Sequence, residues 1–214
     1  MELSLVQKIS VYALPVIFAI TVHEAAHGYV ARYFGDMTAA AAGRITLNPL
    51  KHIDPIGTVL VPLLFLLLPG GILFGWAKPV PVNFGALHHP KRDMLWVAAA
   101  GPGSNFLMAL LWALAFKLAP ALPQAAAVPL SLMAQAGIMI NLVLMVLNLL
   151  PLPPLDGGRI AVSLLPHPYA WQFARLERWG FLILIVLLFT GILGKILWPF
   201  IDLVVGLLSL IFNF

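Results

Sequence analysis

Cysteine is absent from the 214 residues, and charge is scarce: Lys and Arg number 12, Asp and Glu 8, together 9% of the chain. The first absence excludes a disulfide framework, a thiolate metal site and a cysteine nucleophile, so any metal must be held by histidine and carboxylate. The second excludes a soluble globule, a disordered chain and a coiled coil, because an ordinary soluble domain carries roughly 25% charged residues. No internal repeat and no low-complexity linker divides the sequence, which reads as a single domain over 1–214. What it has in abundance is apolar surface, 62% of residues. The formal charge of +4 does not point to nucleic acid, because the basic residues sit beside apolar runs as juxtamembrane loops require. An all-α integral membrane protein is expected, with the lipid bilayer as its surroundings and no nucleic-acid partner.

Uncharged or nearly uncharged runs predict about five spanning helices: Ile9–Ala31, Met94–Phe116, Pro129–Leu150, Phe181–Gly194 (starting near Trp179) and Trp198–Phe214, which includes Asp202. The first, 23 residues long, is enough for about 30 Å of hydrocarbon at about 1.5 Å per residue. Lys8 ahead of the first run imitates a signal peptide, but the run is too long for an h-region and carries His23, Glu24 and His27, so it reads as a retained helix. A core over 9–160 is followed by C-terminal hydrophobic helices over 179–214. Ile56–Phe74 is apolar too, yet Pro62, Pro69, Gly70 and Gly71 break it. Arg32, Arg44 and Lys51 precede it; Lys78, Lys91 and Arg92 follow. Basic loops stay cytoplasmic, so this element should enter and leave on that side as a re-entrant segment lining a cavity. With Arg159, Arg175 and Arg178 on the same side, the helices bearing His23 and Asn148 both run from outside to inside.

His23-Glu24-Ala25-Ala26-His27 is the H-E-x-x-H pattern. Four residues apart on a helix, the two imidazoles share a face and can reach one metal, and the adjacent carboxylate can take a proton from water there as general base. Ionisable groups inside an apolar span are costly and mark functional sites. His27 lies one to two turns inside Arg32, which sets the site on the cytoplasmic half. A catalytic zinc needs a third protein ligand and an open position. The candidates are His52, His88, His89, His167, Asp36, Asp54, Asp93, Asp156, Glu177 and Asp202. Loop histidines are ordinarily solvated, and turn chemistry accounts for Asp36 beside Gly35 and Asp54 beside Pro55. Asp156 differs, because Pro151, Pro153 and Pro154 end a span and stiffen the chain before it, and Gly157-Gly158 lets it turn.

Two further blocks stand out. In Ala100-Gly101-Pro102-Gly103-Ser104-Asn105 the glycines permit close helix approach, and Asn105 either packs or orients a substrate or ligand with its amide. In Lys78-Pro79-Val80-Pro81-Val82-Asn83 the prolines push their neighbours to extended geometry. Pro79 and Pro81 would present one donor-free edge, while Val80 and Val82 offer their N–H groups on the other, an edge segment suited to adding an unwound peptide.

Together, His23–His27, Ala100–Asn105, Asn148 through Gly158 and Gly75–Asn83 resemble the site-2 proteases, intramembrane zinc metallopeptidases, in their compact bacterial branch. The resemblance implies one Zn²⁺ per chain held by His23, His27 and Asp156, Glu24 as base, and Asn148 lining the substrate or zinc cavity. It implies cleavage in or near transmembrane segments of membrane proteins, in the bacterial cytoplasmic membrane with the active site toward the cytoplasm. Many relatives carry a PDZ or CBS module, for which this chain has no room. The rival readings are a membrane zinc transporter, which would want polar residues through both leaflets and related halves, and an inactive relative that binds helices without cutting them.

Overall fold

The computed structural model describes residues 4–61 and 77–213. Helix α1 (Leu5–Tyr33) is opened by a capping box in which Ser4 and Gln7 satisfy each other's backbone N–H. It ends at Gly35, whose φ of +103° only glycine adopts readily. A short α2 (Thr38–Ala41) follows. Asp54 then caps a wide helical turn over Pro55–Leu60 by accepting from Ile56 and Gly57 N–H. The expected re-entrant segment lies, beyond residue 61, outside the described residues.

Helix α3 (Pro90–Leu118) starts with proline at its first position, where no intrahelical donor is needed. Helix α4 (Gln124–Leu149) takes in Gln124–Val128 as well as the expected run, because nothing charged or glycine-rich stops it before Pro123. The chain then forms α5 (Asp156–Leu164), α6 (His167–Ala174), α7 (Glu177–Phe189) and α8 (Ile192–Phe212). Four helices among the described residues are long and apolar enough to cross a membrane, corresponding to α1, α3, α4 and α8. Helix α7 has 13 residues, about 20 Å at 1.5 Å per residue, short of the hydrocarbon core, so it does not join them. The C-terminal break also falls elsewhere than expected. Gly191 turns the chain with φ +72°, whereas Lys195 continues α8, since a lysine is a good helix former and can keep its ammonium exposed.

Helices α1, α3 and α4 pack on one another, with α8 against α4 and α5 against α3. Small buried residues, Ala19 on α1, Ala98, Ala109 and Ala113 on α3 and Ala134 on α4, let the backbones approach. Leu142, Ile201 and Leu208 fill a core between α3, α4 and α8, while Leu107, Leu111, Leu203 and Leu210 point outward. Large apolar side chains facing outward from helices of spanning length is the arrangement a bilayer demands. This is an integral membrane protein.

Among the described residues there is no strand. Residues 77–83 carry no regular element and are braced instead from the loop after α1. Arg44 Nη2 donates to Lys78 O at 2.8 Å and to Pro79 O at 3.3 Å, and Lys78 N–H donates to His52 O. Asp36 Oδ2 accepts from Asn83 N–H at 2.7 Å, and its Oδ1 accepts from Thr38 N–H and Oγ1–H. Burial alone would raise the Asp36 carboxyl, but the bonds from Thr38 and Asn83 outweigh it and hold the group below its ordinary value.

Candidate metal centre

Helix α1 carries the two histidines on one face. His23 Nδ1 lies 2.6 Å from Asn105 Oδ1 on α3, and His27 Nδ1 lies 2.7 Å from the carbonyl of Val97. A carbonyl oxygen can only accept, so His27 carries a proton on Nδ1 and turns its Nε2 the other way, available to a metal; the amide oxygen orients His23 in the same sense. The two Nε2 atoms converge to 3.1 Å. Asp156 Oδ2, from the first turn of α5, meets them at 3.3 Å and 3.4 Å.

Three potential ligand atoms thus face one another inside a helix bundle. Asp156 Oδ2 is fully enclosed, with the two imidazole Nε2 atoms as its polar neighbours, and a buried carboxylate oxygen needs a positive partner there, a metal ion or an imidazolium. Zinc binds imidazole and carboxylate at about 2.0–2.2 Å in a tetrahedron, whose edges are then about 3.3–3.5 Å. The observed separations of 3.1–3.4 Å fit that demand. His23, His27 and Asp156 are the only such cluster among the described residues. His52, His88, His89 and His167 stay out of it; His52 Nε2 instead reaches Thr46 O.

The room for the cluster comes from Gly101 on α3. A Cβ there would stand 2.6 Å from His23 Nε2 and closer still to His27 Nε2. A Cβ on Gly103 would meet nothing within 4 Å. Sequence reasoning gave both glycines to helix packing, but only Gly101 is required, and by the imidazoles. Gly157 and Gly158 also act otherwise than expected. Both lie in α5, and neither is among the residues with positive φ. They are needed because Pro151–Leu155 folds back so closely that a Cβ on Gly157 would collide with Leu149 and Leu150 carbonyls, and one on Gly158 with the backbone at Leu152 and Pro153.

Glu24 is half-buried, and its Oε2 accepts from Val80 N–H at 2.7 Å. Val80 is itself buried against α1, and Val82 packs toward Ala31, Leu87 and Val97. Asn105 is wholly enclosed, facing His23. Asn148 Nδ2 donates back to Leu144 O within its own helix. Arg44, counted from sequence only as a loop charge, is 8% exposed and binds the backbone; nothing in its local sequence signals that role.

A model of peptidase family M50 matches residues 116–190, a stretch that includes Asp156. Over 208 residues the chain is 40% identical to Putative zinc metalloprotease YwhC of Bacillus subtilis, across 94% of this chain and 91% of that one. The chain belongs to peptidase family M50. Two mycobacterial proteins, each named Putative zinc metalloprotease Rip2, agree less extensively. That of Mycolicibacterium smegmatis is 34% identical across 84% of this chain and 66% of its own. That of Mycobacterium tuberculosis is 33% identical across 70% and 54%. No solved structure matches the chain. Membership makes it a membrane metalloprotease with zinc as cofactor, for which the His23–His27–Asp156 cluster is suited.

Proposed function

We propose that the M50 domain, residues 1–214 as one polytopic unit, is an intramembrane protease of the site-2 type that hydrolyses peptide bonds in or near the transmembrane segments of other membrane proteins. The observation that carries this is the convergence of three ligand atoms at 3.1–3.4 Å between helices long and apolar enough to span a bilayer. His23, His27 and Asp156 hold the metal. When bound there, zinc lowers the pKa of water toward 7 and polarises a carbonyl.

Glu24 is the general base: it takes the proton of the attacking water and returns it to the leaving amine. Val80 N–H occupies Oε2, which steadies the carboxylate and leaves Oε1 for that proton. With the Val80 N–H held by Glu24, the donor this segment offers to a substrate is the N–H of Val82, two residues along. A substrate helix must unwind before its scissile amide is free, and an extended stretch can then bond at Val82. Asn148 lies on the last turn of α4, which leads into the segment carrying Asp156, and its assigned role is to line the substrate or zinc cavity. The basic loops support a centre toward the cytoplasmic side of the bacterial cytoplasmic membrane.

Glu24→Gln tests the assignment. The amide keeps the size of the side chain but cannot accept a proton, so turnover should fall by about 10²–10⁴ while zinc stays bound. Undiminished cleavage of a transmembrane substrate by a zinc-replete Glu24→Gln preparation would overturn it.

A further inference from the structure

His23 and His27 are oriented differently. His27 rests on a backbone carbonyl, but His23 rests on a carboxamide, and a carboxamide offers oxygen or nitrogen depending on which way it is turned. What lies beyond Asn105 decides the matter. Its Nδ2 faces two acceptors, Ala19 O on α1 at 3.2 Å and Asn141 Oδ1 on α4 at 2.9 Å. Asn141 Nδ2 in turn lies 2.8 Å from Gly137 O. Ala19 O and Gly137 O are backbone carbonyls and can only accept. Turning Asn105 over would set its oxygen against Ala19 O and Asn141 Oδ1 together. Turning both amides would leave oxygen facing oxygen at Ala19 and at Gly137. Asn105 and Asn141 are both 0% exposed, so no water can relieve those contacts, and an unsatisfied polar pair in this setting is expensive. One arrangement satisfies every group: Asn141 donates to Gly137, Asn105 donates to Ala19 and Asn141, and His23 donates from Nδ1.

We propose that Asn105 and Asn141 are positioning residues, a buried carboxamide relay anchored on Ala19 O and Gly137 O that fixes His23 as the Nδ1–H tautomer and turns its Nε2 toward the metal. The inference rests on the reading of His23 as a ligand. Neither asparagine touches the reacting atoms. Both act through the imidazole, as partners behind metal-binding histidines do. The relay also ties α1, α3 and α4 together at the depth of the centre, so the helix packing that forms the bundle is the same packing that selects the tautomer. Asn141 is the less obvious member, since it lies on a different helix from either histidine and contacts neither.

The test uses the full chain in lipid, metal-free, with isotope-labelled histidine, so that NMR reports which ring nitrogen is protonated. The His23 signal is assigned by its loss in His23→Ala. Zinc affinity is measured in parallel by competition with a chelator. Wild-type His23 should carry its proton on Nδ1. Asn105→Leu should lose that preference and bind zinc about 10–100-fold more weakly. Asn141→Leu should weaken zinc by a smaller factor, because Ala19 O still holds one Nδ2 hydrogen. Asn105→Asp keeps an acceptor oxygen toward Nδ1 and, with its other oxygen protonated so that it donates toward Ala19 O and Asn141 Oδ1, should restore the tautomer relative to Asn105→Leu, a rescue that a merely space-filling role would not produce. Finding wild-type His23 protonated on Nε2 would overturn the relay without any variant. So would unchanged tautomer and zinc affinity in both leucine variants. If His23→Ala keeps full zinc affinity while wild-type His23 is locked on Nδ1, the relay stands and the ligand assignment fails.

Discussion

Replacing Gly101 by alanine adds one methyl group, and the structure says where it goes. The new Cβ lies 2.6 Å from His23 Nε2 and nearer to His27 Nε2, where ordinary contact begins at 3.4 Å. The His23 ring would have to retreat by about 0.8 Å and the His27 ring by more, against a tolerance of about 0.2 Å in metal–ligand distances. Alternatively α3 moves away from α1 by a similar amount. The bonds of 2.6 Å from His23 to Asn105 and 2.7 Å from His27 to Val97 would then stretch to about 3.4 Å, beyond the usual limit of about 3.2 Å. Either response spoils the ligand set, and zinc affinity should fall at least as far as when an orienting partner is lost, about 10–100-fold. The helix itself should not suffer, since alanine is favoured over glycine by about 1 kcal/mol in a helix interior. Metal analysis, chelator competition and cleavage of a transmembrane substrate would be read beside helical circular dichroism. Gly103→Ala, with nothing within 4 Å of its Cβ, is the control. Full zinc occupancy and activity in Gly101→Ala, or equal damage from Gly103→Ala, would refute the reasoning.

The third ligand is tested by Asp156→Ala, which should lose both zinc and activity, whereas alanine at His52, His88, His89 or His167 should leave zinc near stoichiometric; zinc-replete, active Asp156→Ala protein would return those histidines to contention. Single cysteines at Lys51 and Arg92 should both be labelled only from the cytoplasmic side if the chain between them is re-entrant, and labelling from opposite faces would make it a span. Asp36→Ala strands the Thr38 and Asn83 donors and should cost about 1–3 kcal/mol of stability, read as a lower midpoint of thermal unfolding in detergent. Because the folded carboxyl of Asp36 lies below the ordinary 3.8, its contribution is complete above that pH and disappears as pH falls through the lower folded value; a wild-type and Asp36→Ala difference that persisted undiminished below that range would contradict the sign.

The histidine pair, the intramembrane setting and the singular position of Asp156 were legible because each departs from a strong background. Charge is rare in this sequence, so His23, Glu24 and His27 inside an apolar run cannot pass for ordinary surface. What was not legible depends on distances between helices. Gly101 and Gly103 look alike in sequence, and only the approach of α3 to α1 separates the one that makes room for imidazole from the one that faces open space. Asn141 is one uncharged amide among several in the apolar runs, and its partners lie 36 residues away at Asn105 and one turn back at Gly137. The boundaries at α7 were not legible for a related reason. Hydropathy sees an apolar run over Phe181–Gly194, but Gly191 takes a left-handed conformation and hands the remainder to α8.

Asp156, the proposed third ligand, is held beside the histidines without sitting on a helix of spanning length. It opens α5, a helix of 9 residues, and its carboxylate lies where the first-turn N–H groups favour negative charge. Its distance from α1 is set by the Pro151–Leu155 turn, which leaves α4 and is pressed between two glycine surfaces. On one side Gly157 and Gly158 admit the backbone of residues 149–153; on the other, Gly180 on α7 admits Pro153, whose carbonyl a Cβ at 180 would overlap. Proline removes backbone donors in this stretch, so the turn cannot be pulled into a helix that would carry Asp156 around and away from the histidines. Close packing on both sides then removes the remaining freedom. The short helix α7 therefore bears on the proposed metal centre: its Gly180 face is one wall of the mould that positions Asp156.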